Sequence, residues 1–165
     1  MKIIALVLVV FLFLSCEPGL SVPPEVEPGF GGVIFFEKGT WPPRDSLFNL
    51  WVFASQIYPL DSLKVFEGLF ADPPRIYLYP AIDKDLPLFV DSVSYAFALP
   101  PANYLYVGVL QRFANEITVR SLRVVGIYGT SDDPPLPIPV IVSGSQFVDG
   151  INIRVNFHKP PPQPF

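Results

Sequence analysis

Large and small positions alternate most regularly in two parts of the chain. Val93, Tyr95, Phe97 and Leu99 alternate with Ser94, Ala96 and Ala98, the period of two that gives a strand one large apolar face and one small face. Ile151, Ile153, Val155 and Phe157 alternate in the same way with Asn152, Arg154, Asn156 and His158, which predicts a strand buried on one side and solvated on the other. Further strands are predicted over 31–37, 47–57, 75–81, 104–110, 118–128 and 138–142. In 47–57, Phe48, Leu50, Val52 and Ala54 share one face. The opposite face, Leu47, Asn49, Trp51, Phe53 and Ser55, is mixed and implies partial cover.

The period changes once. Leu60, Leu63, Phe66 and Phe70 are spaced by three and four, with Asp61 or Ser62 available as an N-cap, so a short helix over 61–70 is expected to lie across an open sheet edge. Elsewhere 13 of the 21 prolines fall in pairs, at 23–24, 42–43, 73–74, 100–101 and 134–135, or in a run at 160–162. Proline cannot donate to a sheet ladder and is confined to strand ends, edges and turns, so these pairs punctuate strands and exclude long helices. Seven or eight strands without a long helix predict an all-β chain with a single antiparallel two-sheet sandwich over residues 31–158. At 93–110 two strands meet at a Pro100-Pro101-Ala102-Asn103 corner, where Asn103 tolerates a left-handed backbone.

The N-terminal pattern is of another kind. Lys2 precedes a twelve-residue apolar run, 3–14, which fits a secretory signal peptide over 1–15 and is too short for a spanning helix of about 20 residues. The run ends in Phe13-Leu14-Ser15-Cys16. This resembles the lipobox of bacterial lipoproteins, and the resemblance implies that Cys16 is lipidated and becomes the mature N-terminus. Residues 16–30, EPGLSVPPEVEPGF after the cysteine, are rich in Pro, Glu and Gly and read as a tether, and 159–165 reads as a short polyproline-like tail without a packing signal. The implied location is a bacterial cell envelope, with the membrane as a partner through a lipid anchor of several acyl chains, each buried methylene contributing about 0.8 kcal/mol.

Residues 94–109 together with 148–157 resemble the carboxypeptidase-regulatory-like and transthyretin-like sandwiches. The likeness rests on Tyr95, Phe97, Leu99, Pro100, Pro101 and Tyr104. It implies an Ig-like or transthyretin-like sandwich acting as a structural, linking or recognition module. It also implies that Tyr104 points inward with its hydroxyl bonded back to the corner, and that Tyr106, Gly108 and Leu110 line the core. The opposite face, Leu105, Val107 and Val109, is equally apolar, so a central strand covered on both sides fits as well.

Composition narrows the chemistry. The formal net charge of -4 and a pI near 4.8 leave no basic footprint for nucleic acid. Cys16 is the only cysteine, which excludes a disulfide within the chain and a cysteine-based metal site. His158 is the only histidine and shares the polar strand face, where a solvated role outweighs a triad or ligand role. Asp83, Asp85, Asp91, Asp132, Asp133 and Asp149 sit in turn contexts, where local backbone bonding is the ordinary role of aspartate rather than acid–base catalysis or calcium binding. A non-enzymatic module without cofactor or metal is therefore expected. Aromatics make up 15% of the chain, more than one core demands. Trp41, Trp51, Tyr77 and Tyr79 are the candidate ligand or interface residues, with a protein partner in the envelope as the first reading and a glycan as the alternative. Tyr77 and Tyr79, on one strand face, discriminate between the two.

Overall fold

The computed structural model describes residues 26–116 and 118–164. The expected signal peptide over 1–15, Cys16 and the first part of the expected tether lie outside the described residues. The described residues are all-β, with ten strands and one short α-helix among them. The strands exceed the seven or eight expected because β5 (Ala102–Tyr104), β8 (Val140–Val142), β9 (Phe147–Val148) and β10 (Ile153–Val155) are only two or three residues long.

The first sheet is built on β1 (Gly29–Phe36), which pairs antiparallel with β4 (Ser92–Ala98) on one side. On the other side β9 and β10 follow one another along the same edge of β1, both parallel to it, so this sheet is mixed. The positive φ of Gly150, +82°, lets the chain jog between them. β1 begins two residues before the expected boundary at 31, and Phe30, assigned by composition to the tether, is fully buried. The second sheet runs β3 (Ile76–Tyr79), β2 (Asn49–Ser55), β6 (Tyr106–Arg112), β7 (Leu122–Ile127), all antiparallel. β5 and β8 form a separate two-stranded sheet.

One core joins these sheets. Phe30, Ile34, Tyr95, Phe97, Ile153 and Val155 come from the first, Leu50, Val52, Val107, Val109 and Val125 from the second, and Tyr104, Val140 and Val142 from the small one. The alternations read from sequence therefore face as expected at β4 and β10. Aromatic pairs stiffen this core: the Phe30 ring lies 5.7 Å from Phe97 and 6.2 Å from both Tyr95 and Tyr104, and edge-to-face pairs of this kind contribute about 1 kcal/mol each beyond burial.

The Pro100-Pro101 corner carries the chain from the first sheet to the second rather than closing a hairpin, since β4 pairs with β1 and β6 with β2 and β7. Tyr104 Oη donates to the Pro100 carbonyl at 2.8 Å, the bond the resemblance implies. The implied facing of the next residues is corrected. The chain bends at Leu105, which reverses the alternation: Val107 and Val109 enter the main core with Tyr104, while Tyr106 and Leu110 point to the other face of the second sheet. β6 is thus covered on both sides.

That second face carries its own core of Trp51, Phe53, Ile76, Tyr106, Leu110 and Val124, roofed by helix α1 (Ser62–Phe70) with Leu60 and Val65. Asp61 is the N-cap, its carboxylate accepting from Lys64 N at 2.9 Å, and these bonds lower its pKa. The helix spans the expected residues but covers a face of the second sheet rather than lying across an open edge, and it is turned. Its buried positions are Val65 and Gly68, with Leu69 packed beside them, whereas Leu63, Phe66 and Phe70 are 67%, 60% and 68% exposed. Gly68 explains the turn: a Cβ there would meet the Ile76 side chain at 2.8 Å, so the helix approaches β3 through its glycine.

Candidate functional site

The two large sheets meet differently at their two sides. On the β7–β10 side, Gly126 brings the backbones so close that a Cβ would stand 2.5 Å from the Arg154 carbonyl oxygen. Beside this contact runs an open groove of about 880 Å³. Its floor is the polar face of β10 with Phe35 and Glu37 from the end of β1, and its walls are the 129–135 loop and the proline run 160–162.

Side chains in the groove are fixed from both strands. Asn152 Oδ1 accepts from Val33 N at 2.8 Å, and Asn156 Nδ2 donates to Glu37 Oε2 at 2.5 Å. Asn156 Oδ1 accepts from the backbone N–H groups of His158 and Lys159 at 2.9 and 2.8 Å, which starts the tail along the groove. The parallel register sets Arg154 beside Phe35, and the guanidinium lies 5.8 Å from the centre of a ring that is 42% exposed. Neither ion pair among the described residues involves Arg154 or Lys159. The groove thus offers a cation over an aromatic ring, with amide side chains on either side of it.

The tail is held by packing that its composition does not announce. Gln163 Oε1 accepts from Val124 N at 2.8 Å, and its Nε2 donates to Val124 O at 2.9 Å. One side-chain amide therefore takes both backbone groups on the outer edge of β7, as a neighbouring strand residue would.

The four aromatic residues singled out from sequence are not brought together in this groove. Trp51 is buried under the helix, and its Nε1 donates to Lys84 O at 2.8 Å. Tyr77 and Tyr79 are half-buried on the core side of β3: Tyr77 lies 5.9 Å from Tyr104, and Tyr79 lies 5.5 Å from Phe97 and 6.4 Å from Tyr95. Trp41 is half-buried in a cluster closing one end of the core, 4.6 Å from Phe36, 4.8 Å from Phe157 and 5.1 Å from Phe89. Cys16 lies outside the described residues. Among those described, no three His, Cys, Asp or Glu side chains converge.

Sequence reasoning assigned the Asn152–Arg154–Asn156 face to solvent and overlooked Phe35. The missing link is the parallel pairing of β1 with β10, which joins residues 119 apart by the Val33–Asn152 and Glu37–Asn156 bonds. No local pattern encodes that pairing. Comparisons with protein-family models, curated proteins and solved structures find no match for this chain.

Proposed function

We propose that this chain is a lipoprotein of the bacterial cell envelope, exported by the segment 1–15 and anchored through Cys16. Its body is a two-sheet sandwich of the transthyretin-like kind that acts as a non-enzymatic protein-recognition module. A core shared by two four-stranded sheets supports the sandwich reading. The observation that carries the recognition reading is Arg154, its guanidinium 5.8 Å from the centre of the exposed Phe35 ring in an open groove and without a carboxylate partner among the described residues. A groove with an unpaired guanidinium beside an aromatic ring and flanking amides suits an extended polypeptide bearing an acidic side chain, because Arg binds carboxylates through two parallel N–H bonds.

The test is selection from a random peptide phage library on the wild-type protein, followed by affinity measurement of the selected synthetic peptides. Enrichment of Asp or Glu, with at least about tenfold weaker binding to Arg154→Glu, is expected, since a hydrogen bond to a charged group contributes roughly 1.5–3 kcal/mol. Peptides without acidic enrichment, or binding indifferent to Arg154→Glu, overturn the reading.

A further inference from the structure

Each large sheet has two outer edges, and three of the four are guarded. β3 is four residues long, with Pro74 before it and Pro80 directly after it. β7 has Val124 capped by Gln163. β10 is three residues long and lies against Gly126 of β7. The fourth edge, β4, is seven residues long and contains no charge, no proline and no bulge. Proteins ordinarily defend such an edge with one of those devices, because its unpaired backbone groups are a template for another strand.

The register shows which groups are free. Leu99 N donates to Pro28 O, and Asp91 O accepts from Phe36 N, so Asp91, Val93, Tyr95, Phe97 and Leu99 turn their backbone groups toward β1. The alternate residues Ser92, Ser94, Ala96 and Ala98 turn theirs outward. All four are exposed, and none has a backbone partner on that side among the described residues.

We infer that β4 is a self-association edge, and that its occupant is β4 of a second copy of this chain, antiparallel across a two-fold axis at Tyr95. The argument is self-complementarity. With Tyr95 opposite Tyr95, Ser94 faces Ala96 of the second copy and Ser92 faces Ala98, so every outward backbone group of the strand finds a partner; shifting the register by one pair leaves an end unpaired. Small side chains oppose one another on the outer face. The nearest charge, Asp91, already paired with Lys38 at 3.5 Å, falls opposite Leu99. The two Asp91 carboxylates then stand eight residues apart, about 27 Å, well beyond the screening length of roughly 8–10 Å. Between the β3 and β4 edges, the half-buried Val93, Tyr77 and Tyr79 mark the side of the core that the second copy would cover. The tether is a poor competitor for the edge, since Pro18, Pro23, Pro24 and Pro28 interrupt it.

The experiment uses the full chain extracted from membranes in detergent. Mixing Ser94→Cys copies with Ala96→Cys copies under mild oxidation is expected to give a disulfide-linked dimer several-fold above that from either variant alone. Facing residues of a bonded pair lie about 5.5 Å apart, within disulfide reach, while equivalent residues of the two copies lie beyond the limit of about 7 Å. Sedimentation is expected to give a dimer mass for wild type and a monomer mass for Ala96→Lys, which sets two ammonium groups near each other. Ala96 is exposed, so an unchanged circular dichroism spectrum of Ala96→Lys checks its fold, and the cross-link stands independently of that variant. A wild-type monomer, an edge filled by residues 16–25, or a dimer that ignores Ala96→Lys and yields no 94–96 cross-link overturns the inference.

Discussion

Tyr104 holds the corner between the two large sheets. Its side chain is fully buried, its hydroxyl donates to the Pro100 carbonyl, and its ring meets the edges of Phe30 and Tyr77. Tyr104→Phe keeps the ring but leaves that carbonyl without its donor, so urea denaturation is expected to show a loss of about 1 kcal/mol. Burial also pushes the Tyr104 phenol up to about 12, with the neighbouring Tyr77 adding to the effect. Burial raises Tyr95 and Tyr106 as well. A raised phenol pKa means that the unfolded chain releases its proton first. The stabilising contribution is complete below about 10, the ordinary tyrosine value, and is lost as pH rises toward the folded value. Denaturation midpoints are therefore expected to be flat up to about pH 9.5 and to fall steadily between about 10 and 12, with tyrosinate absorbance rising as the fold is lost. A midpoint unchanged at pH 11.5 contradicts this.

At the scale of elements, patterns within one segment were legible and relations between segments were not. The period of two located β4 and β10 and oriented them correctly, because each has one large buried face. The same logic located α1 but turned it the wrong way. Leu63, Phe66 and Phe70 outweigh Val65, Gly68 and Leu69 in hydrophobicity, yet Gly68 decides the facing by permitting close approach to Ile76. The proline tail gave no signal because one glutamine amide does the work of a strand. Gln163→Ala is expected to release that contact. Amide exchange at Val124 should accelerate by at least about tenfold, while Val109 in the middle of β6 keeps its protection. Unchanged exchange at Val124 would show that the prolines alone hold the tail. The groove was illegible for a related reason: Phe35 and Arg154 become neighbours only through long-range parallel pairing.

At the scale of the whole molecule, the groove is proposed for a partner polypeptide, the β4 edge for a second copy and Cys16 for a lipid anchor, and each is tested separately. The attachment is tested by intact mass. The membrane-extracted wild type is expected to begin at Cys16 with added acyl mass, and Cys16→Ala to lack that mass and leave the membrane fraction. An unmodified wild-type chain cut elsewhere would remove the anchor from this account. Where residues 26–28 join the fold also matters mechanically. They lead directly into β1, flanked on one side by β4 and on the other by β9 and β10. A pull arriving through those residues acts along the axis of β1. Loaded that way, the ladders on both sides shear together instead of unzipping one rung at a time, so tension entering at residues 26–28 falls on a strand paired along both edges.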